Sequence, residues 1–204
     1  MTREMLLALA LGYLLGSIPF GLILTRVAGK GDVRQIGSGN IGATNVLRTG
    51  SKPLAAATLI LDCLKATAAI LLARQLFGDP LNDLAERYAA AGAMIGHLYP
   101  VWLRFKGGKG AATLLGVLIP LLPIAAAVYA AIWLTLLLTV RISSVAGMTA
   151  AISAPVSAFV LKENTLLPML LGFALLVLWK HRENILRLRK GTEPRIGSKT
   201  SSTA

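Results

Sequence analysis

The densest group of chemically capable residues is the run Gly31-Asp32-Val33-Arg34-Gln35-Ile36-Gly37-Ser38-Gly39-Asn40-Ile41-Gly42-Ala43-Thr44-Asn45-Val46-Leu47-Arg48. Its glycines expose backbone N–H groups and let an anion approach closely. Ser38, Asn40, Thr44 and Asn45 add polar side chains, and Arg48 offers a planar two-point grip on phosphate. A helix starting inside the run would add a field that favours an anion. Gly37, Gly39 and Gly42 also match G-x-G-x-x-G, with Asp62 downstream. No strand precedes them and Asp62 lies in an apolar stretch, so the dinucleotide-binding context is absent. A flexible connector would explain the glycines but not Ser38, Asn40, Thr44, Asn45 and Arg48 together.

Three smaller groups follow. Gly96-His97-Leu98-Tyr99-Pro100 leads into Arg104-Phe105-Lys106-Gly107-Gly108-Lys109-Gly110, where Lys109 between glycines suits a phosphate. This is not a Walker A loop, because Leu103 stands where glycine is needed and Gly110 follows the lysine. A basic turn at a membrane surface is the plainer reading, and His97 alone fits a satisfied interior histidine as well as a ligand. Arg141-Ile142-Ser143-Ser144 makes a short polar corner that includes Ser144. Lys180-His181-Arg182-Glu183-Asn184 places His181 and Asn184 three apart, on one helix face. A solvated basic helix end would look the same. Asp62 and Lys65 share a face inside an apolar stretch, which suits either a structural ion pair or a substrate-facing one.

The elements that position these groups must be membrane helices. The 204-residue chain is 55% hydrophobic with mean hydropathy +0.68, too apolar for a soluble domain. Met5–Leu24, Pro53–Ala73 and Ala111–Val140 carry almost no charge, and about 20 such residues cross a bilayer core. The first block follows Arg3 like a signal peptide but lacks a small-residue cleavage site, so it reads as a retained span. Cys63, the single cysteine, excludes an internal disulfide and any cysteine-rich metal site. Seven spans fit, at 5–25, 53–74, 88–103, 111–121, 123–140, 143–161 and 165–180. The third, fourth and seventh are short. As one helix, 111–140 would run about 45 Å, beyond the hydrocarbon core, and Pro120 and Pro123 mark a turn there.

Sidedness comes from charge. With seven spans, the segments Arg26–Lys52, Arg104–Lys109, Arg141 and the tail from Lys180 share one side and hold sixteen of the 21 Lys and Arg. The opposite side holds four: Arg3, Arg74, Arg87 and Lys162. That asymmetry places the N-terminus outside, the C-terminus in the cytoplasm and all four polar groups on the cytoplasmic side. It also accounts for most of the +12 net charge without nucleic acid, anionic headgroups and substrate contributing the rest. The expected fold class is therefore all-α, a polytopic membrane protein with short and broken spans. One integral membrane domain covers 1–191, and 192–204 reads as a polar, mobile and dispensable tail. Anion-binding groups at a membrane surface, with no metal-ligand cluster, suggest a phosphorylated substrate meeting a lipid. Acyl transfer needs no cofactor when one substrate is already activated.

Gly16-Ser17-Ile18-Pro19-Phe20-Gly21, Gly37–Asn45, Gly107–Gly110 and His181-Arg182-Glu183-Asn184 together resemble the bacterial acyl-phosphate:glycerol-3-phosphate acyltransferase family. The resemblance runs from Gly16 to about Glu193. It implies a seven-span enzyme of the cell membrane. Its reaction moves a fatty acyl group from acyl phosphate to the sn-1 hydroxyl of glycerol 3-phosphate, giving lysophosphatidic acid and inorganic phosphate. A soluble enzyme that makes acyl phosphate is then the expected supplier. The acyltransferase motif His-x-x-x-x-Asp is missing, since Trp102 and Leu186 stand five after the two histidines, and no G-x-S-x-G occurs. On this reading Ser38, Thr44, Asn45 and the amides of Gly37–Asn45, including Gly39, Asn40 and Gly42, cradle the acyl phosphate. Arg48 and Lys109 hold glycerol 3-phosphate, with Ser144, His181 and Asn184 completing its site. The base is His181 or a substrate phosphate oxygen, and the acyl chain lies near spans one and two. A phosphate-ester transporter would instead place polar groups at the midplane within paired broken helices and show repeat symmetry.

Overall fold

Where the sequence expects one first span, Pro19 divides the run into α1 (Arg3–Gly16) and α2 (Phe20–Val27). Proline has no N–H to continue the ladder. The carbonyls at the break find side chains instead. Lys65 Nζ donates to Ile18 O at 2.8 Å and Trp102 Nε1 to Ser17 O at 2.9 Å. A helix can break within a membrane when neighbours satisfy the freed groups in this way. Lys65 is also paired with Asp62 at 2.7 Å, so the ion pair expected within the second span is present and braces the first.

The computed structural model describes residues 1–77 and 83–197. Every regular element among them is helical. After α2 come the short α3 (Ala43–Leu47) and the long α4 (Lys52–Phe77). Then follow α5 (Leu84–Leu98), α6 (Ala111–Leu121), α7 (Pro123–Thr139), α8 (Ser143–Val160), α9 (Leu167–Lys180) and α10 (Arg182–Arg189). With α1 and α2 counted as one broken span, the long or apolar helices fall at the seven expected places. Leu122 alone separates α6 from α7, whose first residue is Pro123, while Pro120 stays in the last turn of α6.

The third span ends at Leu98 rather than near 103. Tyr99-Pro100 leads into a 3-10 turn, and Arg104 (φ 52°) and Phe105 (φ 61°) turn the chain back. Gly107 N then bonds Leu98 O at 3.2 Å and Gly108 N bonds His97 O at 3.0 Å. This return delivers Lys109 to the end of α5.

Small residues set the closest helix contact, between α1 and α5. A Cβ on Gly12 would lie 2.1 Å from Ala89 O, and one on Gly16 would lie 2.2 Å from Ala93 O. Gly92 and Gly96 meet the α1 backbone as closely from the other side. Lipid offers no hydrophobic drive for helix pairing, so close backbone approach supplies the packing. Gly16→Ala should therefore destabilise the protein by about 1–3 kcal/mol, the usual cost of overpacking. Gly172→Ala, which meets nothing within 4 Å, should not. Thermal melts of the two variants in detergent check this; equal melting temperatures would refute it.

The glycine-rich run is no loose connector. Val33, Ile41 and Val46 are buried with Leu22 of α2 and Ala55 of α4 in a small core of their own. Gly21 touches the Ile41 carbonyl, where a Cβ would come within 1.9 Å.

Candidate active site

One cavity of about 240 Å³ gathers the groups singled out from sequence. Ser38, Asn40, Gly42, Thr44, Asn45 and Arg48 line it from the glycine-rich loop and α3, Lys109 from the return after α5, Ser144 from α8, and His181 and Asn184 from the α9–α10 junction. Gly39 is the one expected site residue outside the lining. Its φ of 66° turns the loop, and its N–H is spent on Ile36 O.

Asn45 has a different job from the phosphate contact expected of it. It is 2% exposed. Its amide nitrogen donates to Val33 O, Ile36 O and Asn40 O at 2.7–3.1 Å. Its Oδ1 accepts from Ser38 N at 3.1 Å and Arg48 Nη1 at 3.3 Å. An amide so fully used is a staple for the loop. What it presents to the cavity is its neighbours: Ser38 and Thr44, both exposed there, and the Arg48 guanidinium. Asn40 Oδ1 caps Gly42 N at 2.8 Å and shapes the same turn.

Across the cavity, Lys109 sits between buried Gly108 and Gly110, whose φ of 90° starts α6. Its ammonium donates to Asn184 Oδ1. Burial pushes Lys109 down to about 8, and the charges of Arg187 and Arg48 push the same way. Two cations thus share the space, a field that favours an anion between them. His181 is buried, with Nδ1 2.8 Å from Val177 O. A carbonyl can only accept, so Nδ1 carries the proton in the neutral ring and Nε2 keeps its lone pair. Burial pushes the imidazole down to about 4; the Val177 carbonyl opposes this and Lys109 reinforces it. His181 is therefore neutral at pH 7.

The residue missed from sequence is Glu193. The tail expected to begin at 192 instead runs over the cavity, where Glu193, Pro194 and Ile196 join the lining. Glu193 Oε1 accepts from Ser144 Oγ at 2.7 Å and Asn184 Nδ2 at 2.5 Å, and Oε2 accepts from Arg187 Nε at 2.7 Å. Burial raises its pKa, but those three bonds outweigh burial and hold the carboxyl below its usual range. Ile196 N donates to Arg141 O at 2.7 Å, and Arg141 Nη2 donates back to Ile196 O at 2.9 Å. Residues 198–204 of the expected tail lie outside the described residues.

Asp62 and His97 also line the cavity, and much of the remaining wall is apolar. Leu47, Ala55, Ala56 and Leu59 supply it from α3 and α4, and Trp133 and Leu137 from α7. The hydrophobic side thus lies between the second and fifth spans, not the first and second. Among the described residues no group of three or more His, Cys, Asp and Glu could hold a metal. The cavity joins cations, hydrogen-bond donors, a neutral imidazole and an apolar surface, as an anionic headgroup bearing an acyl chain requires.

The family model described as glycerol-3-phosphate acyltransferase matches residues 6–191. Proteins named glycerol-3-phosphate acyltransferase from Agrobacterium fabrum and Brucella ovis are 54% and 56% identical to the chain. The first alignment covers 97% of this chain and 96% of the relative, the second 94% and 93%. The crystal structure of PlsY (YgiH), an integral membrane glycerol 3-phosphate acyltransferase, in its glycerol 3-phosphate form superposes with a TM-score of 0.87. It is 39% identical over 95% of this chain and 96% of that one. Its lysophosphatidic acid form gives 0.85 at the same identity, over 95% of both chains. An all-helical membrane fold and similarity along nearly the whole length lead to one conclusion: the chain belongs to the glycerol-3-phosphate acyltransferase family.

Proposed function

We propose that this integral membrane acyltransferase moves a fatty acyl group from acyl phosphate to the sn-1 hydroxyl of glycerol 3-phosphate, at the cytoplasmic face. The observation that carries the reading is one cavity lined by both Arg48 and Lys109 beside an apolar surface. The side chains of Ser38 and Thr44 take the acyl-phosphate phosphate, and Leu59, Trp133 and Leu137 take the start of the chain. Arg48 and Lys109 take the phosphate of glycerol 3-phosphate, which leads its hydroxyl toward His181. Ser144 and Asn184, oriented by Glu193, complete that side. Cytoplasmic sidedness follows from the charge asymmetry of the loops.

His181 Nε2 accepts the hydroxyl proton as the oxygen attacks the acyl carbonyl. The new C–O ester bond forms, the C–O bond to phosphate breaks, and the proton passes to the departing phosphate. Phosphate leaves readily, so no covalent enzyme intermediate is needed. Donors placed around the carbonyl stabilise its developing charge.

The test is purified protein in liposomes with synthetic acyl phosphate and labelled glycerol 3-phosphate. Labelled lysophosphatidic acid should form without flux of free glycerol 3-phosphate, and acyl-CoA should not replace the donor. Flux without product would point to a transporter. Within the same assay Lys109→Ala should lower kcat/KM about tenfold or more, the scale of one charge-assisted hydrogen bond. Unchanged turnover at limiting glycerol 3-phosphate would remove Lys109 from the site.

A further inference from the structure

The mechanism leaves two polar side chains on the cavity wall unused. Asp62, midway along α4, and His97, in the last turn of α5, both line the cavity, and each side chain is 4% exposed. Asp62 Oδ1 is ion-paired with Lys65, but it has no well-directed hydrogen bond among the described residues. His97 Nδ1 lies 3.7 Å from that oxygen, too far for a hydrogen bond, and has no partner of its own. The other ring nitrogen is covered: a Cβ on Gly108 would come within 2.1 Å of Nε2. The ring therefore presents its Nδ1 edge. Native chains seldom leave such buried edges unsatisfied unless a ligand or water completes them.

We propose that Asp62 and His97 bind the second hydroxyl of glycerol 3-phosphate, the one that is not acylated. A hydroxyl oxygen about 2.8 Å from each atom would bridge the 3.7 Å that separates them. It must donate to the carboxylate and accept from the imidazole N–H, and a hydroxyl does both. A phosphate or ester oxygen only accepts, so the Asp62 carboxylate repels it. The pair thus selects a polyol phosphate over a simple alcohol phosphate and rejects a lipid carbonyl. Lys65 already matches the charge of Asp62, which makes Asp62 an acceptor for a fixed hydroxyl rather than the base for the reacting one. The proposal rests on glycerol 3-phosphate being the acceptor substrate.

The experiment compares glycerol 3-phosphate with 3-hydroxypropyl phosphate, which lacks the second hydroxyl, against one synthetic acyl phosphate. Wild-type kcat/KM should favour glycerol 3-phosphate at least about tenfold, because a site built for a hydroxyl discriminates strongly against its absence. His97→Leu and Asp62→Asn should bring that ratio toward one. His97→Asn, whose amide nitrogen stands near the Nδ1 position, should retain part of it. The ratio is internal to each variant, so a general loss of folded protein does not change it. If the wild type uses both acceptors within about threefold, or if the variants slow both equally, the subsite does not exist. Failure of the wild type to acylate glycerol 3-phosphate at all would overturn the underlying reading instead, a separately visible outcome.

Discussion

Replacing His181 by Asn should lower kcat at least about a hundredfold, the lower range for losing a positioned general base. Asn is the informative choice. Its amide nitrogen can replace Nδ1 in donating to Val177 O, while the acceptor at Nε2 is lost. The pH dependence carries the same signature. The neutral ring is the active form, so activity is present above the pKa of His181 and lost as pH falls through it. In the free protein that pKa is pushed down to about 4, by burial first and by Lys109 as well. The His181 limb of kcat/KM should therefore lie well below the ordinary histidine range. The substrate phosphate titrates separately, at about pH 6, and its limb persists in the variant. In the complex, substrate anions offset the Lys109 charge and raise the pKa, so the matching limb in kcat lies higher. Near-normal kcat in His181→Asn would transfer the base to a substrate phosphate oxygen.

Much of this site was legible because charge patterning reports sidedness. Once Pro120 and Pro123 divide the long apolar block, the loops carrying Arg48, Lys109, Ser144 and His181 fall on one side, and these residues do meet in one cavity. The glycine-rich run stood out through its composition as a candidate anion site. Its internal wiring was hidden. Nothing in the spacing distinguishes Asn45, whose amide is used up inside the loop, from Asn40 or Thr44 at its surface. Helix breaks were legible only by half. Pro19 marks the position, but Lys65 and Trp102, which satisfy the freed carbonyls, come from 47 and 85 residues away. Long-range pairing of that kind leaves no local pattern. The apolar wall was misplaced for the same reason, since hydropathy identifies spans and not their neighbours.

Glu193 was missed because Thr192–Ala204 has the composition of a disordered tail, and it sets the last test. Glu193→Ala should lower kcat/KM about a hundredfold, because it frees Ser144, Asn184 and Arg187 at once and charge-assisted bonds are worth about 1.5–3 kcal/mol each. The damage would reach Lys109 through Asn184, its hydrogen-bond partner. Glu193→Gln, which still accepts a hydrogen bond but carries no charge, should lose only about tenfold. Because the three bonds hold the Glu193 carboxyl below its usual range, its stabilising contribution is present above the unfolded carboxyl pKa of about 4.3. That contribution is lost as pH falls through the lower folded value. Steady-state kinetics on both variants, with melting temperatures to confirm folded protein, decide the matter. Full activity in Glu193→Ala would show that the segment only lies against the cavity and does not help to build it.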